Sequence, residues 1–196
     1  MPLHPAENRG YRELFLTAQE AETRLAKLAE HLDDPPRATL AKAHTALAEM
    51  LDEFEPALAR YDLHAEHAAR GGGARIGTVR AAILDRFLER NQALRFAVDD
   101  LEHVTTLLAY LASVSGARGA GKLAELCESW ERRIRRHVTA VRKAAIELAA
   151  NPDAAIEPLD PSPLGKAAHA TAVAMGTAGE AFDRKVHRVS GRGRGR

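Results

Sequence analysis

A single cysteine stands in 196 residues, so Cys127 has no internal disulfide partner. It falls on an apolar helical stripe, where a small buried hydrophobe is expected. Aromatic residues make up only 5% of the chain while hydrophobic residues reach 45%. Ala and Leu therefore carry the apolar mass, and no alternating β-branched run marks a strand. No apolar stretch approaches the ~18 residues of a membrane span, so no transmembrane segment is expected. Residues 1–10 are polar and lack the apolar core of a secretory signal; the expected setting is a bacterial cytoplasm. A strong overall charge is missing too, at +1, but the distribution is uneven. Residues 161–196 hold seven Lys/Arg against Glu180 and Asp183, a net +5, which leaves −4 on residues 1–160. An acidic body thus carries a basic tail.

What is present is helical period. Thr78 to Val114 contains neither Pro nor Gly, and reads as one helix of about 55 Å ended by Ser115-Gly116. Val79, Ile83, Phe87, Leu94, Val98, Leu101, Val104, Leu108 and Leu111 form its main stripe. A second stripe, Phe96, His103, Leu107, Tyr110 and Val114, lies roughly 160° round the same helix. A helix apolar on two sides needs cover on both, so the second stripe is the candidate interaction face.

Three further seams complete a bundle. After a frayed start, Tyr11, Leu14, Ala18, Ala21, Leu25, Leu28 and Leu32 mark the first helix, stopped by Asp33-Asp34-Pro35-Pro36. Leu40, His44, Leu47, Leu51, Phe54, Leu58 and Tyr61 mark the second, in which Pro56 should kink or restart the helix. The fourth runs through Leu123, Cys127, Trp130, Ile134, Val138, Val141, Ala145 and Leu148. Four prolines in 151–163 indicate an extended linker. A weaker amphipathic segment, 164–189, follows it, and the Arg-Gly tail 190–196 is expected to be disordered. The fold class is all-α: an up-down four-helix bundle over 1–150, with an appended C-terminal helix and a basic tail.

The centre of such a bundle is a place for metal chemistry, because residues three apart on a helix can reach one ion. No Glu-x-x-His occurs; Asp100-Leu-Glu-His103 comes nearest. On or beside the seams, Glu22, His44, Glu102, Glu131 and His137 form the candidate metal set if they converge, against the alternatives that His44 is a hydrogen-bonded core residue and that the flanking glutamates are partly exposed and pair with Arg or Lys. His64 and His67, near Asp62 and Glu66, offer half of a Zn²⁺ or Ni²⁺ site or a solvated helix end. The outer face of the fourth helix carries Arg132, Arg135, Arg136, Arg142 and Lys143. With Arg192, Arg194 and Arg196 it is a candidate surface for nucleic acid or another acidic partner, or else a salt-bridged face, since Glu125, Glu128 and Glu131 precede it at pairing distance. No nucleophile motif, phosphate loop or dinucleotide fingerprint is present.

Leu14-Phe-Leu16 with Ala21-Glu-Thr-Arg-Leu25, and Leu101-Glu-His103 running to Ala109-Tyr110, resemble the ferritin-like bundles of the bacterial stress-response type. The likeness covers about 70 residues with the fourth helix. It implies Fe or Mn chemistry with Glu22 and Glu102 as ligands, although Thr105 and Thr106 stand where a further carboxylate belongs. Three expectations follow. The first is a non-enzymatic interaction or scaffolding protein with no cofactor, whose partner is a second copy or another helical protein. The second is a ferritin-like metal protein. The third is an accessory protein that binds nucleic acid without regard to sequence.

Overall fold

The structure, a computed structural model, describes residues 2–64, 88–167 and 169–171. These residues form an all-α bundle, as the helical seams require. Its long helices are α1 (Pro5–His31), α2 (Pro36–Ala59), α3 (Arg90–Ala117) and α4 (Gly121–Ala149), followed by the single turn α5 (Pro152–Ala155). No described helix is long and apolar enough to cross a membrane.

The first helix starts earlier than its apolar seam. Pro5 fits the first helical position, where no N–H is needed, and His4 caps the end. His4 Nδ1 accepts from the Ala6 N–H at 3.1 Å, while the Glu7 carboxylate accepts from the His4 N–H at 2.8 Å. This reciprocal capping replaces the expected frayed start. Pro56 does not restart α2, which continues through it for less than a turn and ends at Ala59. Asp62 then takes a left-handed φ of 59°, and the turn buries Leu63.

Leu14, Phe15, Leu25, Leu40, Leu47, Phe54, Leu94, Leu101, Leu108, Cys127, Trp130 and Ile134 belong to one buried core. Each helix packs on two neighbours in the cycle α1, α2, α4, α3. The ends that meet fix the directions. Tyr11, near the start of α1, stacks at 6.1 Å on Phe54, near the end of α2, and reaches Ser115, near the end of α3. At the other end Arg90, opening α3, meets Asp33, just past α1. The order is therefore up, down, down, up. Direction alternates within the hairpins α1–α2 and α3–α4, but not between them. Residue 64 and residue 88 sit at opposite ends of the bundle.

Helix α3 does not begin at Thr78. Glu89 is extended, with φ −78° and ψ 153°, and pairs with Pro158 in an isolated antiparallel bridge. The Arg90 N–H donates to the Glu157 carbonyl and the Leu159 N–H to the Leu88 carbonyl, both at 2.9 Å. This contact from distant sequence holds Leu88-Glu89 out of the helix. It also gives the proline-rich segment structure instead of a bare extended run: Ala155 and Leu159 are buried. Thr78–Phe87 lies outside the described residues, as do 172–189 of the expected fifth helix and the tail.

Candidate functional site

The five candidate metal ligands do not gather. Glu22 and His44 do meet across α1 and α2, with Oε1 and Nε2 3.2 Å apart. Glu102 instead takes Arg142 of α4, and Glu131 takes Arg135 one turn along its own helix. His137 is half buried, and burial followed by the nearby charges of Arg133 and Arg136 holds its pKa below the usual histidine value. Among the described residues no group of three His, Cys, Asp or Glu is placed to hold one ion. The expected central polar pocket is thus not assembled, because the seam-flanking carboxylates found cationic partners first. His103 likewise turns outward to Glu13 at 3.6 Å, and Asp100 pairs with Arg24 at 2.8 Å. His64 lies 3.6 Å from Glu55 and 3.9 Å from Asp62; its proposed companion His67 is outside the described residues.

The basic face of α4 is largely neutralised. Arg132 pairs with Glu128, Arg135 with Glu131, Arg142 with Glu102 and Lys143 with Glu147. Arg136 is exposed and has no ion-pair partner among the described residues. Arg192, Arg194 and Arg196 lie outside them.

One polar constellation was not read from the sequence. At the end of the bundle where α1 starts, Glu7 is fully buried. Its carboxylate accepts from the Ser115 hydroxyl at 3.0 Å and from the Arg118 guanidinium. Since a carboxylate only accepts, the Ser115 proton is committed to Glu7, and Ser115 Oγ receives the Tyr11 hydroxyl at 3.1 Å. The Tyr11 oxygen is left for the Cys127 thiol at 3.5 Å. Burial raises the Glu7 pKa, but the His4 N–H, Ser115 and Arg118 outweigh it and hold the carboxyl below its ordinary range. Burial pushes the Cys127 thiol up to about 11 and, with Cys127 alongside, raises the Tyr11 phenol as well. These groups join three helices and leave no free nucleophile. The pattern His4-Pro-x-Glu7 was the available signal, since a cap followed three residues later by Glu marks a helix start.

The candidate interaction face is divided. Leu107 is buried in the core and Val114 is half buried, so neither belongs to an outer surface. Phe96, His103 and Tyr110, seven residues apart, stay outside, with Phe96 41% exposed. Beside Phe96 an open groove of about 650 Å³ runs between α3 and α4. Ile146, 66% exposed, lines its other wall. Ile146 was missed because it lies next to the α4 seam and not on it. Arg95, Asp99, Glu102 and Arg142 supply the polar lining. Comparison with protein-family models, with curated proteins and with solved structures finds no match.

Proposed function

We propose that this chain works by association: a non-enzymatic helical-bundle interaction protein that self-associates through the outer face of α3 and α4. The carrying observation is the groove itself, where Phe96 and Ile146 present apolar side chains to solvent from facing walls. A large aromatic beside an aliphatic, rimmed by charge, is the composition of an interface centre. The test is sedimentation equilibrium of the purified full chain. Wild type associates; Phe96→Asp and Ile146→Asp are each monomeric with unchanged helical circular dichroism, because both side chains lie outside the core. Association indifferent to both substitutions overturns the reading.

The ferritin-like reading keeps one supporting observation. Two antiparallel hairpins in the order up, down, down, up match the helix directions of ferritin-like folds, which use one long crossover. In that reading Fe or Mn would be held near Glu22 and His44, the one pair of candidate ligands in contact. Elemental analysis of protein equilibrated with Fe²⁺ or Mn²⁺ and then desalted tests it: stoichiometric metal lost in Glu22→Ala supports it, and none bound removes it. The nucleic-acid reading has less support, because four of the five basic α4 side chains already meet a glutamate.

A further inference from the structure

We propose that the occupant of the α3–α4 face is a second copy of the chain, held in one register: α3 against α3 of the copy, antiparallel about a two-fold axis beside Ala97. This rests on the self-association reading above and adds the alignment of the two copies.

Arg95 and Asp99 carry the argument. Both are exposed, both line the groove, and neither has an ion-pair partner among the described residues. They sit one turn apart, flanking Phe96. The order Arg then Asp along a helix is the weaker orientation for pairing within the helix, so the two charges remain available. A two-fold axis brings residue i against residue j and j against i. Antiparallel helices centred between positions 95 and 99 place Arg95 opposite Asp99 of the second copy, and Asp99 opposite its Arg95. Phe96 then lies beside its own counterpart at the axis, and each Phe96 faces apolar surface. One turn further out the same register sets Gln92 opposite Glu102 of the second copy, an amide facing a carboxylate. The groove lining is neutral as a whole, Arg95 and Arg142 against Asp99 and Glu102. No net repulsion therefore opposes the meeting of two identical faces, while any one-residue slip breaks the reciprocal match.

The experiment uses charge reversal in the full chain, read by sedimentation equilibrium. Arg95→Asp alone sets two carboxylates against two, and Asp99→Arg alone sets two guanidinium groups against two. Each weakens the dimer by at least about tenfold. An equal mixture of the two single variants restores association as a heterodimer, since both contacts then pair opposite charges. The double variant Arg95→Asp/Asp99→Arg restores it as a homodimer. Single variants that associate like wild type, or a mixture that associates no better than its components, overturn the register. If Phe96→Asp abolishes association while the charge reversals do nothing, this register falls and the face stands. If Phe96→Asp also does nothing, the face itself falls. A wild type that stays monomeric overturns the second copy as occupant.

Discussion

Glu7 and Arg118 form an ion pair between the first turn of α1 and the residue just past α3, with the carboxylate buried and the guanidinium partly exposed. Among the described residues the pair has no counterpart at the opposite end, where Arg90 is shared between the more exposed carboxylates of Asp33 and Glu157. The two ends of the bundle are thus secured differently, and their responses to mutation and acid should differ.

Glu7→Ala removes the acceptor for Ser115, Arg118 and the His4 N–H together. It should cost about 2–3 kcal/mol, since a buried donor left unpaired forfeits its desolvation. Glu7→Gln keeps an acceptor oxygen and should cost less. The acid response follows from the lowered folded pKa. The carboxylate's contribution is complete above its unfolded pKa and is lost as pH falls through the folded value. Urea unfolding followed by Trp130 fluorescence between about pH 3 and 7 should show the gap between wild type and Glu7→Gln closing at the acid end. Trp130 is the only tryptophan, and its indole donates to Glu53 at 2.8 Å, so its emission reports on α2–α4 packing. A gap that stays constant with pH would assign the loss to shape and not to charge.

Cys127 should be silent toward thiol reagents. Its sulfur is buried and its pKa is near 11, so at about pH 8 the thiolate fraction is small and inaccessible. Labelling by a disulfide-exchange reagent should proceed only through unfolding, and its rate should rise with urea alongside loss of the Trp130 signal. Stoichiometric labelling of the native protein within seconds would contradict this packing.

Two glycines in helices should respond with opposite sign. A Cβ at Gly10 would stand 2.8 Å from Leu111 Cδ2 and 3.2 Å from Tyr110 Cε1, and Leu111 has no exposed surface into which to retreat. Gly10→Ala should therefore destabilise by about 1–2 kcal/mol despite the better helix former, because it forces α1 from α3. At Gly116 the nearest atom to an added Cβ is Ala124 Cβ at 3.9 Å, an ordinary contact. Gly116→Ala should stabilise by about 0.5–1 kcal/mol. Thermal melts of the two variants side by side decide it.

The seams were legible in the sequence because burial repeats with the helix. Leu14, Ala18, Ala21 and Leu25 on α1, and Cys127, Trp130, Ile134 and Val138 on α4, are all buried as their spacing demands. The start of α3 was not legible. Nothing between Thr78 and Val114 breaks a helix locally, and what ends it at Glu89 is a bridge to Pro158, far along the chain. The candidate metal residues stay apart for a related reason: periodicity places Glu102 beside a seam, but only the packing of α3 on α4 delivers Arg142 to it. Ser115 read as a helix stop, yet it lies inside α3 with its hydroxyl buried against Tyr11 and Glu7.

Tyr11 touches all three of the other long helices, through Phe54, Ser115 and Cys127. The last two lie 104 and 116 residues away along the chain. Each hairpin can form from contacts close in sequence, but the Tyr11 hydroxyl finds its partners only after a very long loop has closed. Such closures slow folding, since their entropy is spent before the contact rewards it. The phenol of Tyr11 therefore joins the two hairpins through contacts that neither hairpin can make alone.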